Sequence, residues 1–188
     1  MCQSIRLLKQ ARDFLNSISK GSVMIVSIRR ILFPTDFSEP AAEAQKYAIA
    51  LADRLGAELH LLNVIVPPVI PFPDSSTSWT MPDTGLIEQV KDAEARFSKE
   101  ISLLPEERRV VSAVVTGFAV EEIVKYAEEH VIDLIVVGTH GLTGLSHLLI
   151  GSVAEKLVRV ATCPVLTVRP GGHQFLIEGS QVSASALS

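Results

Sequence analysis

Aromatic side chains make up only 5% of the chain, and single-stranded nucleic-acid binding depends on stacking rings that are therefore scarce here. The formal charge of −4 points the same way, because phosphate backbones recruit basic surfaces. Cysteine is almost absent: Cys2 and Cys163 stand far apart, with no CxxC. That excludes a disulfide framework and fits a reducing compartment, so a cytoplasmic setting is expected. Cys163, just before Pro164 and an apolar run, reads as a small packed residue rather than a reactive thiol. No apolar run of about 18 residues occurs, so no membrane-spanning helix is expected. Residues 1–20 carry Arg6, Lys9, Arg12 and Lys20, interrupted by Asp13 and Asn16, without the apolar core of a secretory signal. Also missing are GxxxxGK(S/T), which excludes a P-loop NTPase, and GxGxxG, which leaves a dinucleotide-binding site without support.

What remains is a chain of 188 residues, 47% apolar and 20% charged, enough for one domain with a real core. Five short apolar runs rich in β-branched residues, at 30–33, 58–66, 110–116, 133–137 and 164–168, read as strands. Their apolarity is continuous rather than alternating, so strands covered on both faces are expected, as in a parallel sheet. Helical patterns lie between them. Ala44, Tyr47, Ala48, Leu51, Ala52 and Leu55 recur at three- and four-residue spacing, with Ser38 and Pro40 as start signals and Gly56 as the stop. Further helices are expected over 86–103, 119–129 and 152–160. The alternation of strand and helix predicts a doubly wound three-layer α/β/α sandwich.

Three segments stand outside this rhythm. Residues 1–27 read as an N-terminal extension and 171–188 as a flexible tail, leaving 28–170 as the domain. The stretch 67–83 holds five prolines and the only tryptophan, Trp79, and reads as a mobile insertion, a lid or a binding loop.

The chemistry concentrates after the fourth strand. Gly138 and Gly141 are followed, nine intervening residues later, by Gly151-Ser152 at the start of the last helix. Glycines let backbone amides approach an anion and adopt positive φ. A helix starting at Ser152 aims its amides and its positive dipole end at the same spot. Such a site holds a triphosphate largely with neutral dipoles. A tight strand-to-loop turn also explains Gly138 and Gly141, although not the Gly-Ser pair. Asp36, in Pro34-Thr35-Asp36-Phe37-Ser38 after the first strand, suits ribose or adenine recognition at the carboxyl end of a sheet. It equally suits a helix-terminal charge or cap.

These residues resemble the universal stress protein family. The resemblance rests on Pro34-Thr35-Asp36-Phe37-Ser38, on Leu61-Leu62-Asn63-Val64, and on the run from Asp133 through Val137-Gly138-Thr139-His140-Gly141. It continues in Gly151-Ser152-Val153-Ala154-Glu155 and Cys163-Pro164-Val165-Leu166-Thr167-Val168. It is colinear over about residues 28–169 and is to the ATP-binding branch, whose hallmark is the spacing G-x2-G-x9-G-(S/T). It implies a five-stranded parallel sheet of order 3-2-1-4-5, of the adenine nucleotide alpha hydrolase-like type. That order sets the loop of Pro34, Thr35 and Asp36 beside the loop of Gly138, His140 and Gly141. By position it implies that Asp36 and the Val64 backbone hold adenine and ribose, and that Val137 and Gly138 line the nucleotide. Gly141 would face the phosphates, and Gly151, Ser152 and Val153 would cap them. It implies ATP as ligand, with any Mg²⁺ held through the phosphates, and a homodimer joined by the last strands, Val165 to Val168. Asn63 departs from the histidine of many relatives, so altered adenine-side contacts are expected.

Catalysis finds less support. His140 and His147 are the candidate bases near a γ-phosphate, and His140 suits loop packing or solvent as well. No paired carboxylates, Ser-His-Asp pattern or metal-ligand cluster is visible. Three readings stand: an ATP-dependent stress-response binding module or switch, a slow ATPase or phosphotransferase, and an interaction protein without nucleotide.

Overall fold

The computed structural model describes residues 26–67, 85–139 and 151–171. His140, Gly141 and His147, the segments 1–25 and 172–188, and all but the first residue of the proline-rich stretch lie outside these. Nine elements alternate: β1 (Arg30–Pro34), α1 (Glu39–Leu55), β2 (Glu58–Ile65), α2 (Leu86–Ser102), β3 (Val110–Thr116), α3 (Ala119–Glu129), β4 (Leu134–Gly138), α4 (Ser152–Val160) and β5 (Val165–Val168). All strand pairs are parallel, and the order is β3-β2-β1-β4-β5, as the resemblance implied. β1 is central, and chain order reverses between it and β4, which makes their carboxyl ends the switch point.

Alternate strand residues serve opposite faces. Ile31, Phe33, Leu59, Leu61, Leu134 and Val136 join Ala44, Ala48 and Ala52 of α1 and Phe97 of α2 in one core cluster. Leu32, Leu62, Ile135 and Val137 join Ile123, Tyr126 and Ala127 of α3 and Ala154 and Leu157 of α4 in the other. Burial of each full-sized side chain is worth about 1.5–3 kcal/mol, so the central strands carry much of the stability. The edge strand differs from the expectation of double coverage: in β3, Val111, Ser112 and Thr116 are exposed, because the sheet ends there. Cys163 packs, half-buried, against the second cluster, and burial pushes its thiol pKa up. The thiol is therefore mostly protonated and unreactive at neutral pH.

α1 starts and stops as its sequence signals. The Ser38 hydroxyl accepts from the Ala41 amide at 3.3 Å, and Gly56 ends the helix with φ 65.

The amino end of the sheet is closed by polar pairs. The Asp133 carboxylate accepts the Arg29 and Arg30 amides at 2.7 and 3.0 Å, and Arg30 Nη1 donates to the His130 carbonyl at 3.0 Å. His60, only 3% exposed, sits between Glu58 and Tyr126, each at 3.0 Å. A carboxylate only accepts, so His60 Nε2 carries the proton toward Glu58 and Nδ1 accepts from the Tyr126 hydroxyl. The Tyr126 ring stacks on His130 with centroids 3.8 Å apart. Burial lowers the His60 pKa, and the Glu58 hydrogen bond opposes that shift.

Candidate functional site

The loop after β1 turns tightly, held by three amide hydrogen bonds. The Thr35 amide donates to the Leu62 carbonyl at 2.9 Å, extending the β1–β2 pairing by one residue. Thr35 Oγ1 accepts from the Phe37 amide and Asp36 Oδ1 from the Ser38 amide, both at 3.0 Å. Asp36 therefore closes a turn, while Ser38 caps the helix. Asn63 is buried and donates from Nδ2 to the Thr35 carbonyl at 2.8 Å. The departure at position 63 thus braces the loop from behind, and Asn63 is not among the residues lining the neighbouring cavity.

Across the switch point, Val137 and Gly138 end β4. Thr139 is buried; its amide donates to the Val168 carbonyl at 2.9 Å, and its carbonyl accepts from the Gly151 amide at 2.6 Å. The start of α4 is thereby fastened to the end of β4. α4 has no side-chain cap, because its N-cap is Gly151; the amides of its first turn have no intrahelical acceptor, as at any helix start. Gly151 has φ −55 and ψ 145, and Gly138 is a strand residue. Neither uses positive φ, so of the two properties that glycine offers only the close approach of the backbone bears on these positions. Gly151 lines the cavity at the helix start and carries no side chain there.

Between these features lies a cavity of about 250 Å³, near the lower end of small-molecule pockets, about 300–1,000 Å³. It is lined by Pro34, Thr35, Asp36, Val64, Val137, Gly138, Gly151, Ser152 and Val153, all expected from the sequence. Their convergence on one cavity is what the switch-point geometry dictates. His140 and Gly141 fall outside the described residues. Among the described residues, Ala41, Leu62, Ala119, Ile123 and Ala154 also line it and were missed. Positional signals existed for four of them: Leu62 shares the face of Val64, Ala119 and Ile123 lie one turn apart on α3, and Ala154 lies in the first turn of α4. Being small or apolar, they carry no chemistry that a motif search would catch.

α3 also begins without a side-chain cap, at Phe118, so the cavity meets the first turns of two uncapped helices. The arrangement offers neutral donors on the α4 side, a carboxylate and a hydroxyl on the β1 loop, and an apolar wall from Val64, Leu62 and Ile123. Among the described residues, no group of three or more His, Cys, Asp or Glu side chains is placed to hold a metal ion, and no helix is long and apolar enough to cross a membrane.

Residues 27–169 match the model of the Universal stress protein family. The chain belongs to that family. Universal stress protein MJ0531 of Methanocaldococcus jannaschii is 35% identical over 158 residues, covering 82% of this chain and 89% of the relative. The solved structure of MJ0577, from the same organism, shares 31% identity at a TM-score of 0.61, covering 79% of this chain and all of that one. A universal stress protein solved in complex with cAMP shares the fold at 22% identity and a TM-score of 0.52, covering 77% of this chain and 98% of that one.

Proposed function

We propose that this universal stress protein binds ATP in the carboxyl-end cavity and acts as a nucleotide-dependent binding module in a stress response. One observation carries the reading: the β1 loop with Thr35 and Asp36 and the uncapped start of α4 line the same cavity. An adenosine has an apolar wall and a carboxylate on one side; phosphates have helix-terminal amides and the Ser152 hydroxyl on the other. The spacing of Gly138, Gly141, Gly151 and Ser152 supports the triphosphate, with His140 and Gly141 assigned to its surroundings. Mg²⁺, where it accompanies the nucleotide, is held through the phosphates. That the fold accommodates an adenine nucleotide is supported by the cAMP complex of another member.

The apolar edge of β5 supports the homodimer that the family resemblance implies, with Val165 to Val168 of two copies pairing across a twofold axis. Edges of this kind are otherwise aggregation-prone.

The test is mass spectrometry of ligand released under gentle denaturation, with calorimetric titration of the ligand-free protein. ATP among the released species, or a saturable ATP titration, is the expected result. No released nucleotide and no ATP binding heat would overturn the proposal.

A further inference from the structure

Phe37 is one of two non-glycine residues with positive φ among those described, at 58°. A bulky residue keeps that conformation only when its surroundings impose it. Here they do. The Phe37 ring lies 5.0 Å from the buried Phe97 ring at a tilt of 54°, and the Arg96 guanidinium stands 5.3 Å from its centroid. Both partners belong to α2, on the face of the sheet opposite to α3 and α4. The left-handed turn thus sends the ring into the α1–α2 layer, while its neighbours Thr35 and Asp36 line the cavity. Two local hydrogen bonds, Phe37 amide to Thr35 Oγ1 and Ser38 amide to Asp36 Oδ1, depend on this backbone path.

We propose that Phe37 is a positioning residue for base selectivity: its ring, clamped by Phe97 and Arg96, holds the loop in a strained path that aims Thr35 and Asp36 at the adenosine. This rests on the ATP reading above. Without the clamp the strained turn relaxes, and the first groups to move are those two side chains, while the α4 start, fastened to Thr139, stays in place. Phosphate binding then persists as base discrimination fades.

The experiment measures dissociation constants for ATP and GTP on the full chain, wild type first, then Phe37→Ala, Phe37→Gly and Phe37→Tyr. Phe37→Ala keeps the strain and loses the ring, so the ATP preference over GTP should fall about tenfold, through weaker ATP binding. Phe37→Gly removes ring and strain together and should lose less. Phe37→Tyr keeps the ring and should keep the preference. Phe97→Leu, which leaves the core filled but withdraws the clamping ring, should reproduce the loss if Phe37→Ala does not fold. An unchanged preference in the ring-deleting variants overturns the inference, as does a parallel loss for both nucleotides, since a merely structural role weakens them together. A wild type that binds ATP without preferring it also overturns this inference and leaves the ATP reading standing. A wild type that binds neither nucleotide overturns that reading as well.

Discussion

At the amino end of the sheet, Arg30, Glu58, His60, Tyr126, His130 and Asp133 are bound to one another or to backbone. At the carboxyl end, the helix starts at Ala119 and Ser152 lack side-chain caps, and the loop of β1 and the end of β4 flank a cavity. A hollow of about 570 Å³ also lies at the amino end, lined in part by Arg30, Glu58, Arg109 and Asp133. Size alone would favour it, yet these charges are already engaged; Arg109, for example, donates to the Gly56 carbonyl at 3.0 Å. The contrast teaches where each kind of polar group is used. Satisfied polar groups hold a fold together, and donors left uncapped beside a cavity are available to a ligand.

Substitutions at the two ends should therefore separate binding from stability. The largest effect is expected from Gly151→Val. Valine tolerates φ −55 and ψ 145, so the fold stands, but its branched side chain occupies the α4 start. ATP affinity should fall at least about 100-fold, about 2.8 kcal/mol, with the melting temperature moving less than about 2 °C. Asp133→Ala should do the reverse, leaving two backbone amides without their acceptor. A loss of about 2 kcal/mol in denaturant unfolding, with ATP affinity unchanged, is expected. Equal effects of the two substitutions on binding would erase the distinction between the ends.

Asp36→Ala should cost about tenfold in ATP affinity and leave inorganic tripolyphosphate binding as it was; equal losses would remove Asp36 from the adenosine side. The smallest effect is that of pH at the amino end. The folded His60 pKa lies below its unfolded value of 6.5, so its contribution to stability is present above about pH 6.5. As pH falls through that value the unfolded chain takes up the proton first, and the contribution is lost by the time pH passes the folded pKa. Thermal melting between pH 7.5 and 5 should show, as rough working limits, a decline that His60→Gln reduces. An identical pH slope in the variant would assign the decline elsewhere.

Much of this contrast was legible in the sequence, and unevenly so. The elements announced themselves because their signals are local: Ser38, Pro40 and Gly56 bracket α1, and β-branched runs mark the strands. Of the nine expected cavity residues, Gly138, Gly151, Ser152 and the Pro34–Asp36 loop were legible because glycine spacing and strand-end loops report backbone chemistry, whereas Val64, Val137 and Val153 came only with the family resemblance. The amino-end network was not, since His60, Tyr126 and Asp133 are brought together by packing between distant segments. Nor was the role of Asn63, whose partner is a backbone carbonyl 28 residues away in sequence. The exposure of β3 follows from its place at the edge, which composition does not encode.

Amide hydrogen exchange of the unmodified protein, with and without saturating ATP, tests the central claim most directly. ATP should slow exchange at Thr35 to Ser38 and at Ser152 to Ala154, and leave Arg29, Arg30 and the start of β2 unaltered. Protection confined to the amino end, or none at either, would contradict the assignment of the nucleotide to the carboxyl-end cavity.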